Sequence, residues 1–166
     1  GGGKTILSAL WMIMSGSKIL LVESSTTVSQ LLRNEKGESK DNFVDFMEAA
    51  LGGNGKVRNL DQLIENIQKA RTPEAKEKAE WELIDALNDR NTVLVGSLAA
   101  TGHMRNAVAS SRNREAVIRS FENAGRVFDE VHRTVSPIGF IIGGEQVTLA
   151  QRAKTAGFSI EVLTMA

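Results

Sequence analysis

Two short and uniformly apolar runs constrain the fold of this chain more than any other feature. They lie within KILLVE at 18–23 and NTVLVGSL at 91–98, where polar residues or glycine bound each of them. An apolar run of this length without alternation is typical of a strand buried on both faces. Such strands occur in parallel sheets that helices cover on either side. The two runs therefore predict an α/β fold with a mainly parallel sheet.

Helical patterns fill the sequence between the apolar runs. Residues 5–14 are almost entirely apolar, which predicts a helix that is covered on several sides. Gly16 is expected to end this helix. The block 41–90 holds several helix-spaced segments, the clearest of which begins with Thr72 as its cap and Pro73 in the first turn. We expect this block to be a helical insertion or lid. Helices that alternate with buried strands indicate a three-layer α/β fold.

The last third of the sequence continues this alternation. Apolar residues spaced alternately by four and three predict one long helix from Arg114 to about His132. Further strands are predicted at 138–144 and 158–163, with a short helix between them that ends at Gly157. Because no internal repeat or linker is visible, residues 1–166 are predicted to form a single α/β domain.

Composition excludes several classes of function. The sequence has no cysteine, which excludes disulfides, cysteine nucleophiles and thiolate metal sites and is compatible with the cytoplasm, where we expect the protein. Its 20 basic and 20 acidic residues give a net charge of zero, which argues against bulk electrostatic binding to nucleic acid or an anionic membrane. The longest apolar run has about ten residues, whereas a membrane span needs roughly 20.

The first five residues, GGGKT, match the second half of a phosphate-binding loop. The complete pattern is G-x-x-x-x-G-K-[ST], in which backbone N–H groups and the lysine bind phosphates and the hydroxyl residue helps to hold Mg²⁺. Gly3, Lys4 and Thr5 fit the last three positions, and a predicted helix follows at once, as this loop requires. Gly1 and Gly2 fit variable positions. The first glycine of the pattern and the strand in front of it are missing.

With KILLVESSTT at 18–27, the GGGKT sequence resembles the ParA/MinD-type P-loop ATPases, including the StbB-like and TraL-like plasmid proteins. The loop of this family reads K-G-G-x-G-K-[ST] and leads through a helix into a strand. The resemblance covers about a fifth of the chain. It implies a P-loop NTPase-like fold in an N-terminally truncated member of the family.

The resemblance also implies a function, which is to bind ATP and Mg²⁺ as a nucleotide-dependent switch in plasmid partition or conjugation. Its implied partners are a second copy of the chain and a plasmid or conjugation protein. Lys4 would be the catalytic residue, while Thr5 and Glu23 would hold Mg²⁺. The implied nucleotide-binding residues are Gly1, Gly2, Gly3, Lys4 and Thr5. NTVLVGSL carries Gly96 and Ser97 where the family has an aspartate, so ATP hydrolysis stays open.

Two other functions also stay open. The order of TILSAL, NTVLVGSLAATGHMRNAV and GFIIGGEQVTLAQRAKTAG is similar to that in the 2-phosphosulfolactate phosphatases, which implies a Mg²⁺-dependent phosphatase. Alternatively, GGGKT is a glycine leader with a solvated lysine, and the protein is a noncatalytic interaction protein that binds through the helices of 41–90. His103 is a candidate for acid–base chemistry, and the alternative is a structural role. Arg105 is a candidate for pairing with phosphate, and the alternative is an ion pair at the surface.

Overall fold

A sheet of parallel strands forms the centre of the fold. The computed structural model describes residues 2–38, 42–128, 137–142, 145–148 and 161–162. The strands within these residues are β1 (Ile19–Val22), β2 (Lys56–Asn59), β3 (Thr92–Ser97), β4 (Arg126–Phe128), β5 (Pro137–Ile142), β6 (Glu145–Thr148) and β7 (Glu161–Val162). The main sheet has the order β2-β3-β1-β4-β7, and all its neighbouring strands are parallel. The predicted parallel sheet is therefore confirmed.

Helices cover both faces of this sheet. Those within the described residues are α1 (Gly2–Ser15), α2 (Ser25–Leu31), α3 (Phe43–Leu51), α4 (Leu60–Lys69), α5 (Pro73–Asn88), α6 (Ala100–Ala107) and α7 (Arg114–Asn123). Helices α1, α2 and α3 share one apolar core with Leu20 and Val22 of β1. Helices α4 to α7 share another core with Ile19 and Leu21 of the same strand. Because successive strand residues face opposite sides, β1 contributes to both cores, and the predicted three-layer α/β fold is confirmed.

The segment 41–90 contains helices, as predicted, and also a strand that the sequence pattern did not reveal. Strand β2 has the sequence KVRN, in which Val57 is the sole apolar residue, so it carries no buried-strand signal. It pairs with β3 at the edge of the sheet. Leu63 of α4 and Leu83 of α5 are buried in the core on one face of the sheet. The segment thus supplies an edge strand and part of a helical layer, so it is built into the layered fold.

The long helix predicted from Arg114 ends earlier in the structure. Helix α7 stops at Asn123, and the chain turns through Gly125 into strand β4. A Cβ atom on Gly125 would lie 3.1 Å from the Cα atom of Ser17, so glycine permits this close approach. The prediction was wrong about the element because Phe128, in a fully buried strand, falls by chance at the helical spacing. His132 lies outside the described residues.

The remaining predictions concern the C-terminal part. Strands β5 and β6 pair in antiparallel fashion, which confirms a strand within 138–144. The helix predicted after it is wrong at 145–148, which form β6 and include the β-branched Val147 and Thr148. Strand β7 lies inside the strand predicted at 158–163. None of the helices in the described ranges has the length and apolarity that a bilayer crossing requires.

Candidate functional site

The carboxyl ends of the parallel strands form the edge at which α/β folds bind ligands, where the strand order reverses. From β1 the chain crosses to β2 on one side, and from β3 it later crosses to β4 on the other side. Glu23 follows β1, Asp61 lies just after β2, and Ser97 ends β3. Val22 and Ser97 are partners in the parallel register of β1 and β3. These polar residues therefore lie along one edge, which we call the carboxyl edge.

Helix α1 directs its first turn to the side of the carboxyl edge. The helix ends at Ser15, Gly16 follows it with a φ of 68°, and the N–H of Ser17 donates to the carbonyl oxygen of Met12 at 3.0 Å. This tight turn leads directly into β1, against which α1 packs. Helix and strand therefore run antiparallel, with the last turn of α1 at the amino edge of the sheet. Its first turn, which starts at Gly2, lies on the side of the carboxyl edge.

The predicted phosphate-binding residues belong to this first turn. Gly1 lies outside the described residues, and for Gly2, Gly3, Lys4 and Thr5 the structure describes the helical backbone alone. The sequence pattern predicted a glycine loop followed by a helix, whereas the structure already starts the helix at Gly2. Backbone N–H groups in the first turn of a helix have no acceptor within the helix. This turn therefore has the donors that an anion would need.

The residues after β1 serve mainly to start helix α2. Ser24 is extended and accepts a hydrogen bond from the N–H of Thr27 at 3.4 Å, as an N-cap. Ser24 thus supplies an acceptor for one of the unpaired N–H groups at the start of α2. Glu23, the predicted magnesium ligand, precedes the cap and is exposed at the carboxyl edge.

A carboxylate contact next to β3 was missed by the sequence analysis. Both carboxylate oxygens of Asp61 accept the N–H of Ser97 at 3.2 Å, and Oδ1 also accepts the hydroxyl of Ser97 at 3.1 Å. Asp61 lies in the first turn of α4, where the helix dipole favours a negative charge. The sequence lacks an aspartate at the end of β3, and Asp61 brings a carboxylate to that point from the neighbouring strand connection.

The sequence does mark the helix start on which Asp61 lies. Asn59 caps α4 and accepts the N–H of Gln62 at 3.1 Å. An asparagine cap with an aspartate two residues later indicates a helix N-terminus. It does not indicate a partner 36 residues away, so the contact to Ser97 could be found only from the fold.

His103 and Arg105 lie on α6, which follows β3. His103 is exposed. Arg105 approaches Glu122 of α7 at 4.0 Å, in agreement with the surface ion pair weighed for it. Among the described side chains, no group of three or more histidines and carboxylates could hold a metal ion.

A cleft of about 420 Å³ opens beside β2, on the same face of the sheet as α1. Its volume lies within the range of small-molecule sites. Arg33 in its wall donates to Glu48 at 2.7 Å and to Asp45, and these two hydrogen bonds raise the pKa of the guanidinium. The residues that line it are Ser29, Leu32, Arg33, Asn34, Glu35, Val44, Val57 and Asn59.

Comparison with known proteins identifies no relative. No family model matches this chain, and no curated protein or solved structure matches it significantly. Three-layer α/β folds carry many unrelated activities. The function of this chain therefore has to be inferred from the residues at the carboxyl edge.

Proposed function

We propose that this protein binds ATP together with Mg²⁺ at the carboxyl edge of its sheet. One observation carries the proposal: α1, which begins within GGGKT, runs antiparallel to the central strand β1. The first turn of α1 and Glu23 therefore both lie toward the carboxyl edge of the sheet. The positive end of a helix dipole and the unpaired N–H groups of the first turn favour a phosphate group there.

The residue types fit the proposed ligand. Lys4, in the first turn, would neutralise phosphate charge, and the oxygens of Thr5 and Glu23 are of the kind that Mg²⁺ prefers. The choice of ATP, and the role of a switch in plasmid partition or conjugation, rest on the resemblance of GGGKT and KILLVESSTT to the ParA/MinD-type ATPases. Binding comes first in this proposal, and hydrolysis is a separate property.

The contact of Asp61 with Ser97 bears on hydrolysis. ATP hydrolysis in this class of site uses a carboxylate at the end of a second strand. Strand β3 ends in Ser97, and Asp61 holds a carboxylate 3.1 Å from its hydroxyl oxygen. We propose that Asp61 supplies this second carboxylate. On this proposal, Asp61→Asn reduces phosphate release from ATP while ATP binding is retained.

The binding proposal is tested by titrating the protein with a fluorescent ATP analogue, with and without Mg²⁺. Lys4→Ala should weaken binding by about tenfold or more, since it removes a charge-assisted contact to phosphate. The matched control is Lys36→Ala, which removes an exposed lysine from the turn after α2. Glu23→Gln should reduce the dependence on Mg²⁺. Equal binding by the wild type and Lys4→Ala would contradict the proposal.

A further inference from the structure

A groove of about 240 Å³ lies between α6 and α7, on the opposite face of the sheet from α1. Three arginines, two glutamates and one isoleucine line it: Arg105, Arg114, Glu115, Ile118, Arg119 and Glu122. The three guanidinium groups exceed the two carboxylates by one positive charge. We call this cavity the arginine groove.

Three other arginines of the described residues are bound closely by carboxylates. Arg33, Arg58 and Arg112 each donate a hydrogen bond of 2.7 Å to a glutamate. Such bonds largely neutralise an arginine within the protein itself. These three arginines therefore have little capacity left for an external anion.

The arginine groove is built differently. The Nη2 atom of the Arg105 guanidinium lies 4.0 Å from a carboxylate oxygen of Glu122, which is longer than a hydrogen bond. Glu115 and Arg119 are four residues apart on α7, a favourable spacing for an ion pair. Even so, Arg114 and Arg119 form no ion pair within 4.0 Å among the described residues. Neighbouring guanidinium groups repel each other, and an anion between them would remove that repulsion.

We propose that the arginine groove binds a phosphate group, either as free phosphate or on a small molecule. Guanidinium groups bind phosphate oxygens in pairs of parallel hydrogen bonds. The small volume suits a compact anion, and Glu115 and Glu122 disfavour an extended polyanion such as nucleic acid. The half-buried Ile118 offers apolar surface to the carbon part of a phosphate ester. The groove is separate from the first turn of α1, because α1 packs on the opposite face of the sheet.

The proposal is tested with the intact protein by following backbone NMR shifts during titration with inorganic phosphate and with a sugar monophosphate. Sodium chloride at equal ionic strength is the reference. Saturable shifts centred on α6 and α7 are expected. Arg114→Gln and Arg119→Gln should each weaken binding by about tenfold, as expected for a charge-assisted contact. The matched control Arg90→Gln, at an exposed arginine before β3, should leave binding unchanged.

A second variant keeps the test informative if an arginine variant fails to fold. Glu122→Gln removes a competing carboxylate and should tighten phosphate binding. Tighter binding of the sugar phosphate than of free phosphate supports an ester ligand, and equal binding supports free phosphate. Absence of saturable shifts overturns the proposal. Loss of binding in Lys4→Ala, with Arg119→Gln unaffected, also overturns it, because the phosphate would then bind at α1.

Discussion

The two helical layers of this molecule are specified in different ways. In the layer of α4 to α7, side chains cap the starts of two helices: Asn59 caps α4, and Thr72 caps α5 by accepting the N–H of Ala75 at 3.1 Å. The outer surface of this layer carries charge pairs such as Arg112 with Glu77. Local sequence signals of this kind favour helices before any tertiary contact forms.

In the layer of α1 to α3, Ser24 caps α2, whereas the start of α3 and most of α1 lack such signals. Helix α3 starts at Asn42 without a side-chain capping bond, and residues 5–17, which include most of α1, carry no charge. Met12 on the inner side of α1 is 1% exposed, whereas Met14 on its outer side is 82% exposed. The difference teaches that α1 is stabilised by burial against the sheet, while α4 and α5 are also stabilised by their N-terminal caps and surface ion pairs.

The largest expected effect tests whether both layers belong to one cooperative fold. Phe43 of α3 and Phe121 of α7 are each 0% exposed, one in each layer. Replacing either by alanine should cost about 4 kcal/mol of unfolding free energy, because it removes a fully buried aromatic ring. Urea denaturation followed by circular dichroism measures both variants. A cost for Phe43→Ala below about 1 kcal/mol would mean that the α1 to α3 layer contributes little to the cooperative core.

A slightly smaller effect is expected at the end of α7. Arg126 is 2% exposed and donates to the carbonyl oxygens of Phe121 and Ala124, which end that helix. Arg126→Met should cost about 3 kcal/mol, because it removes the buried guanidinium that donates to both carbonyl groups. The exposed Arg119→Met on the same helix is the control and should change stability by less than about 0.5 kcal/mol. Equal effects of the two variants in urea denaturation would contradict this role of Arg126.

The capping of α5 is expected to contribute less. Thr72→Ala removes the hydroxyl that accepts the N–H of Ala75 and should cost about 1 kcal/mol. Thr26→Ala, in the exposed part of α2, is the matched control. Thermal unfolding by calorimetry compares the two. If both variants melt at the temperature of the wild type, the Thr72 cap does not contribute to the stability of α5.

The smallest expected effect concerns pH. The pKa of Asp89 is lowered by the N–H of Asn91 at 3.0 Å and the hydroxyl of Thr92 at 2.9 Å. A carboxyl whose folded pKa is depressed adds stability above its unfolded pKa of about 3.9, and this contribution is lost as pH falls through the lower folded pKa. Asp89→Asn should therefore lose stability at neutral pH and converge with the wild type in acid. Urea denaturation of both proteins at neutral and at acidic pH measures this. The same difference in unfolding free energy at the two pH values would contradict the stabilising role of the ionised Asp89.

Sequence patterns predicted the centre of the fold well. Strands β1 and β3 are short apolar runs whose residues have no polar face to expose, and every residue of β3 is buried. Helix α5 starts at Pro73, as its cap and proline indicate. Strand β2 escaped prediction because an edge strand with charged residues has no apolar pattern. The end of α7 was misplaced because buried residues of a helix and of the following strand shared one spacing.

The candidate site was predictable only in part. GGGKT and Glu23 could be selected from the sequence because each lies beside an apolar helix or strand. Their roles toward ATP and Mg²⁺ stay predictions. The contact of Asp61 with Ser97 and the grouping of Arg105 with the arginines of α7 could not be selected, since each joins residues from separate elements. No local pattern encodes such proximity, which arises only when the helices pack on the sheet.

The central position of β1 has a consequence for the order in which the chain folds. Its strand partners are β3, whose paired residues lie 75 positions later, and β4, whose paired residues lie 107 positions later. Contacts between such distant residues slow folding, because a long loop must close before they form. During synthesis, β1 therefore leaves the ribosome as an unpaired apolar strand and stays so until β3 follows. We expect this strand to be the part of the nascent chain most in need of a chaperone.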